Sequence, residues 1–431
     1  MKAAVIAAAL LALGASSVAC SSSPEESSAA GGAKLSSAAS SSATANGTVK
    51  IKPSYGTGTS GIAAFLQGWK WEDINTNLPA LKAAGFTAIQ LSPHTATCSG
   101  AYGGQGYDPS DYTSFSGGFG DDGDLSWLIA ATHGQGMQIY ANMVMNNMCT
   151  HPDYAYNDFS YNDFHHNGPI QDFNNQWDDE NEDLDGLNDL DTESSYVQSQ
   201  LWNFLVKSND LGFDGYRWDA AKHVPQWFWS GNIVNNTNSW GKYSFGEVVS
   251  TDLGYLQGYV NTGMAVTDYN LYYAMTAAFT EGGDVSTLDG AGFAGTNAPY
   301  AVTFIENNDV SAPSNRYLAM AFITGYPGYP FFYNVNLQDY QVTNLSWIHA
   351  NKAYGSYINR WKDHDVIIFE RQGNLIDGIN QNGSWQSDWI DTSWQNTTLH
   401  DYTGHAGDIT TAGDGRVQVS IPPVSYVMYA P

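Results

Sequence analysis

Cysteine is almost missing from this 431-residue chain. There are three, at positions 20, 98 and 149, and none forms a CxxC pair. That spacing excludes the paired-thiolate zinc and redox motifs, and leaves Cys98 and Cys149 free to form one disulfide if the chain is exported. Basic residues are scarce as well. Sixteen Lys and Arg stand against 43 Asp and Glu, a formal charge of −27. No basic patch is available to neutralise a phosphate backbone, so nucleic acid is excluded as a partner. Charged residues make up only 14% of the chain, which rules out a polyelectrolyte. Internal repeats are absent. What is abundant is apolar and aromatic: 42% hydrophobic residues, with 27 Tyr, 18 Phe and 14 Trp. Most of these rings belong to packing, and some suit stacking on a flat, polar ligand such as a sugar. The acidity is compatible with calcium binding, although a solvated surface accounts for most of it.

The first 19 residues read as an export signal, with Lys2 followed by the apolar run Ala3–Leu13, too short to span a bilayer. Ser17-Val18-Ala19-Cys20 resembles a bacterial lipobox, which predicts a lipid anchor at Cys20; ordinary cleavage after a small residue is the alternative. Residues 20–47, rich in Ser, Ala and Gly, read as a flexible tether. The expected location is therefore the cell surface or outer membrane as a lipoprotein, or the extracellular medium. Any contact with a membrane would run through Cys20 alone.

From residue 48 onward short apolar strands alternate with helical stretches. Candidate strands are Gly61–Gln67, Ala88–Leu91, Gln138–Met145, Gly215–Asp219, Tyr243–Val249, Met264–Asp268, Ala301–Glu306 and Pro330–Tyr333. Ile74–Ala84 and Ser195–Leu211 carry helical spacing. Eight such strands predict an α/β fold, a (β/α)8 TIM barrel over residues 48–364, with functional groups at the strand C-terminal ends. The long interval between the third and fourth strands predicts a small insert at about 151–190. Past residue 364 the pattern turns to period two, as in Val366–Glu370, Leu375–Asn380 and Val417–Ile421, so 365–431 is expected to form a C-terminal antiparallel β-sandwich domain.

Three acids end strands of this barrel. Asp219 closes Gly215-Tyr216-Arg217-Trp218-Asp219, and alternation puts Arg217 on its face, where the guanidinium keeps the carboxylate ionised. Glu247 follows Tyr243-Ser244-Phe245-Gly246 between apolar neighbours, and Asp309 follows Glu306-Asn307-Asn308. Acids from separate strands that converge on one barrel mouth are the machinery of glycoside cleavage.

These segments resemble the alpha-amylase family of glycoside hydrolases. Gly212–His223 is similar to the family's GFRxDAxKH segment, which implies a nucleophile at Asp219. Phe245-Gly246-Glu247 is similar to the segment that carries the acid/base, and Asn307-Asn308-Asp309 to the one that ends in the transition-state stabiliser. Leu187-Asn188-Asp189-Leu190-Asp191 resembles LPDLD without its proline, Tyr140–Cys149 resembles the third-strand segment, and Gly106-Tyr107-Asp108-Pro109 the stretch whose tyrosine stacks on the cleaved sugar. The resemblance implies a monomeric, retaining, endo-acting hydrolase of α-1,4-glucosidic bonds in starch and maltooligosaccharides. Substrate contacts would come from Tyr107, Arg217, Lys222, His223, Asn147 and Asn308. A structural calcium ion would be held by Asn146, Asp189 and the His223 carbonyl, with a further ligand from Asp178–Asp185. Some members bind chloride through positions matching Arg217 and Asn307, but no third basic residue lies near the eighth strand, so chloride is not expected.

Three positions depart from the family pattern. Asn147 and Asn308 stand where histidines contact the sugar, and Asn142 where an aspartate is usual. Loss of two histidine contacts that strengthen in the transition state would cost about 10²–10⁴ in rate unless the site is rebuilt. Two alternatives therefore stay open: an α-glucan transglycosylase using the same residues, and a catalytically weakened surface glucan-binding lipoprotein.

Overall fold

A computed structural model describes residues 61–100 and 105–431. The leader, the tether, Cys20 and residues 48–60 lie outside them. Eight parallel strands close a barrel: β1 (Ala63–Leu66), β2 (Ala88–Leu91), β3 (Gln138–Val144), β4 (Gly215–Asp219), β5 (Tyr243–Gly246), β6 (Ala265–Thr267), β7 (Ala301–Thr303) and β8 (Tyr329–Tyr333). β8 returns to pair with β1, with Phe331 opposite Ala63. The helices between them are α1 (Trp71–Ala83), α2 (Asp122–Gly134), α3 (Ser195–Leu211), α4 (226–239), α5 (Leu253–Val260), α6 (Tyr269–Ala278), α7 (Arg316–Gly325) and, after β8, α8 (Tyr340–Lys352).

The strands read as continuous apolar runs because both of their faces are buried. Outward residues such as Ile89, Ile139, Tyr216 and Val266 pack under the helices, while inward ones fill the barrel. That interior alternates small and large: Ala63, Ala88 and Ala265 make room for Phe65, Tyr140, Tyr243, Phe245, Tyr329 and Phe331. The Tyr140 and Tyr329 hydroxyls meet at 3.0 Å and satisfy each other inside it. The barrel is thus a packed core, and chemistry is confined to its rim.

Between β3 and α3 lies the expected insert, in which Asn147–Met148 pairs with Asn188–Asp189 and short helical turns cover the rest. Cys98, in the loop after β2, is disulfide-bonded to Cys149, just after β3.

The C-terminal sheet starts earlier than residue 365. Its first strand, β9 (Tyr357–Lys362), pairs antiparallel with β10 (Val366–Arg371). Polar, half-exposed residues and a bulge between Asn359 and Trp361 hide its period from the sequence. Then come β11 (Leu375–Asn380), β12 (Gln386–Asp391), β13 (Thr398–Asp401), β14 (Ile409–Thr410), β15 (Arg416–Ile421) and β16 (Ser425–Ala430). The larger sheet runs β9-β10-β11-β16-β13-β14, and β12 pairs with β15 apart from it. Ile368, Ile376, Val427 and Tyr429 from the first sheet meet Ile390, Val417, Val419 and Ile421 from the second in one core. The opposite face of the large sheet, with Phe369, Leu375, Ile379 and Met428, joins the core of the barrel.

One acid at that junction is out of place. Asp377 on β11 is fully buried beside Gly325 of α7, and among the described residues neither carboxylate oxygen has a hydrogen-bond partner. Burial holds its carboxyl well above the ordinary value of 3.8. A folded-state value above the unfolded one favours the fold at low pH, and that advantage is lost as pH rises past the unfolded value. Asp377→Asn removes the ionisable group. It is expected to raise stability at pH 7 by about 1–3 kcal/mol in denaturant titrations and to leave the pH 4 value nearly unchanged.

Candidate active site

The ladder between β4 and β5 brings two acids side by side. Trp218 is in register with Gly246, and Glu247 extends the pairing by donating its backbone N–H to the Trp218 carbonyl at 2.9 Å. Asp219 and Glu247 therefore end neighbouring strands, each only 7% exposed. Gly246 is required just there, since a Cβ would come within 2.7 Å of Met264 Sδ and 2.9 Å of Ala221 Cβ. Ala220, directly after Asp219, is held in the left-handed region at φ +46°. Such strain in a residue with a Cβ is commonly tolerated at functional sites. Here it turns the Ala220 N–H toward Glu247 Oε2, at 3.3 Å.

Arg217 lies between the two acids. Its Nη1 is 2.5 Å from Asp219 Oδ1 and its Nη2 2.6 Å from Glu247 Oε1. The sequence suggested an arginine serving Asp219 and an apolar setting for Glu247; the structure shares one buried guanidinium between them. Two acids balanced by one cation cannot both ionise without cost. Burial pushes Asp219 up to about 7; Arg217 opposes this and the Glu247 charge adds to it.

A polar relay continues from Arg217 toward the mouth. Nη1 also donates to Asn142 Oδ1 at 2.8 Å, and Asn142 Nδ2 donates to the Tyr107 hydroxyl at 3.0 Å. The Tyr107 hydroxyl lies 3.2 Å from Gln67 Oε1 and 3.4 Å from Asn308 Oδ1. On the other side Tyr269 donates to Glu247 Oε1 at 3.4 Å and accepts from Asn307 Nδ2 at 2.8 Å. Asn307 Oδ1 in turn receives the Asp309 and Val310 N–H groups. Asp309 is close enough for its charge to act on Asp219, Tyr107 and Tyr269. The three acids, Arg217, Tyr107 and Asn308 thus form one cluster. Gln67 and Tyr269 were not singled out from the sequence; each sits just after a barrel strand, which was the available signal. A strand end alone is not enough, because Asp268 at the end of β6 is fully buried and caps three backbone N–H groups instead.

Three residues expected to touch substrate are held elsewhere. Asn147 is buried, and its amide donates to the Tyr107 carbonyl at 3.3 Å, which fixes the tyrosine loop. Lys222 is turned to the insert, with Nζ 2.5 Å from the Phe173 carbonyl and 2.6 Å from Asp179 Oδ2. His223 packs edge-on to Phe173 with Nδ1 3.1 Å from the Asp179 carbonyl, and burial lowers it to about 4, so it is neutral.

The expected cation ligands show a shared peculiarity. Asn146 Oδ1, Asp189 Oδ1 and Asp179 Oδ1 are all buried without a hydrogen-bond partner among the described residues. Burial pushes Asp189 up to about 7 and Asp179 to about 6, even though His165 and Lys222 oppose it. Unsatisfied oxygens of mixed amide and carboxylate type fit a hard cation. A neighbouring trio, His165, Asp191 and Glu193, also gathers ligand-type atoms within 4.8 Å of one another. It fits a cation less well. Both nitrogens of His165 are already engaged, Nδ1 2.7 Å from Asp189 Oδ2 and Nε2 3.2 Å from Glu193 Oε2.

The comparisons with known proteins concern the family and the fold. The family model described as "Alpha amylase, catalytic domain" matches residues 51–279, and that for the alpha-amylase C-terminal domain matches 375–430. The chain is 25% identical over 363 residues to an alpha-amylase of Clostridium acetobutylicum, covering 74% of this chain and 44% of that protein. To an alpha-amylase of Thermomonospora curvata it is 28% identical over 291 residues, 61% of this chain and 48% of the relative. The chain thus spans about half the length of these two relatives. Among solved structures, the alpha-amylase of Geobacillus thermoleovorans complexed with acarbose superposes with a TM-score of 0.72 at 21% identity, over 86% of this chain and 97% of that one. A cyclomaltodextrin glucanotransferase with a three-domain arrangement gives 0.73 at 22%, over 86% and 99%. At these identities the structural likeness speaks for the fold.

Proposed function

The chain belongs to the alpha-amylase family, and on that premise we propose that it is a retaining hydrolase that cuts α-1,4-glucosidic bonds inside starch and maltooligosaccharides. The single observation that carries the reading is the pairing of Asp219 and Glu247 on one guanidinium. Two carboxyls on two nitrogens of the same group lie within reach of one glycosidic bond. In the first step Glu247 gives its proton to the glycosidic oxygen while the Asp219 carboxylate attacks the anomeric carbon. The bond to the leaving sugar breaks and an ester to Asp219 forms. In the second step water attacks the same carbon, its proton passes to the Glu247 carboxylate, and Asp219 leaves. Asp309 and Asn308 bind sugar hydroxyls around the developing positive charge, and the Tyr107 ring supports the sugar from below.

The same reading assigns a calcium ion to Asn146 Oδ1, the Asp189 and Asp179 carboxylates and the His223 carbonyl. The orphaned oxygens of the first three support it. Bound there, the ion would tie the insert to the barrel and supply charge balance rather than chemistry. Export is likewise part of the proposal, supported by the apolar leader, the lipobox-like sequence at Cys20 and the Cys98–Cys149 disulfide.

Three experiments test these readings. Reducing-sugar release from soluble starch is expected to fall by at least about 10⁴-fold in Asp219→Asn, with starch binding retained. The first product seen by NMR should be the α-anomer; a β-anomer would mean inversion and would remove the covalent step. Chelation with EDTA is expected to lower the thermal midpoint by several degrees, and millimolar Ca²⁺ to restore it. Asp189→Asn should abolish that response. An unchanged midpoint in the native protein would count against the ion.

A further inference from the structure

Two tryptophans on the C-terminal domain are exposed beyond what packing explains. Trp385 is 57% and Trp389 56% exposed. β12 pairs antiparallel with β15, placing Trp389 opposite Gln418, Ser387 opposite Ser420 and Asp391 opposite Arg416. Ile390, Val417, Val419 and Ile421 point into the domain core. By alternation Ser387, Trp389 and Asp391 line the outer face, and Trp385 continues that row one residue before the strand begins. Four residues of strand separate the two indoles by about 13 Å, the reach of a short run of rings rather than one.

The polar groups of this face are already arranged. Ser387 and Ser420 hydroxyls meet at 2.8 Å between the two rings. Arg416 lies 5.5 Å from the Trp389 ring centre, with its Nε 3.9 Å from Asp391, so the ring is braced and the local charge is balanced. A net charge of −27 repels a second copy of the chain and any anionic partner. On this face the Arg416–Asp391 pair leaves no unbalanced charge to draw a cationic partner, so it fits a neutral occupant, one with apolar C–H faces for the indoles and hydroxyls for serine and glutamine. Sugar polymers have both.

We propose that Trp385, Trp389, Ser387 and Gln418 form a second α-glucan site that holds the polymer apart from the catalytic mouth. The choice of α-glucan rests on the function proposed above. The test uses native gels containing soluble amylose, with the Asp219→Asn protein as reference so that the gel is not digested. Adding Trp385→Ala and Trp389→Ala should weaken retention about tenfold. The same two substitutions in the active enzyme should leave kcat/KM on maltoheptaose and the thermal midpoint unchanged. Gln418→Glu, which keeps both rings and adds a charge, should also weaken retention.

Unchanged retention in the double variant overturns the site. Equal retention by hydroxyethylcellulose and amylose overturns the α-glucan assignment. If the native enzyme fails to cleave maltoheptaose while the double variant still loses amylose binding, the hydrolase reading falls and this site stands. Cleavage with retention insensitive to both tryptophans sinks the site alone.

Discussion

Everything at the barrel mouth depends on one buried guanidinium placed between two carboxylates. Arg217 is 3% exposed and touches both Asp219 and Glu247. Removing either acid from water would be costly without it, and an unpaired buried charge costs about 3–5 kcal/mol. With it, Asp219 is still held above its ordinary value, because burial and the neighbouring Glu247 charge outweigh the guanidinium. Retaining glycoside chemistry needs one carboxylate to attack and one acid to protonate, and two acids sharing a single guanidinium suit that division. The ladder between β4 and β5 sets the distance, and the arginine sets the charge.

The three asparagines take on a different meaning in this setting. Asn142 accepts from Arg217 and donates to Tyr107, a combination an ionised aspartate cannot supply. It also brings no third negative charge, so the guanidinium is left to the two acids. Asn147 secures the Tyr107 loop through its backbone carbonyl, and Asn308 meets the Tyr107 hydroxyl at the mouth. All three substitutions therefore converge on a single tyrosine. The site is rebuilt as a neutral amide network around Tyr107 rather than simply stripped of its histidines.

Much of this was legible in the sequence because it depends on short-range pattern. Apolar runs such as Ala88–Leu91 and Gly215–Asp219 matched the strands to the residue. Acids at strand ends were legible because barrel topology sends every strand end to one rim. β9 was not, since an edge strand with a bulge keeps no clean period. Lys222 and His223 were expected at the mouth from the resemblance of Gly212–His223 to a family segment, yet the insert captured both, and its folding depends on contacts more than 40 residues away. The choice of Asp179 within its acidic stretch was hidden for the same reason. Burial singles it out, and burial is a tertiary property.

The account stands or falls on whether Asp219 becomes covalently attached to sugar. The most direct measurement is mass spectrometry of the peptide containing Asp219 after reaction with a fluorinated maltosyl donor, whose ester breaks down slowly. The mass of one fluorinated maltosyl group on the Asp219 peptide of the native enzyme, and its absence in Asp219→Asn, is the result expected here. A label on another residue, or turnover of the donor with no labelled peptide, would contradict the account.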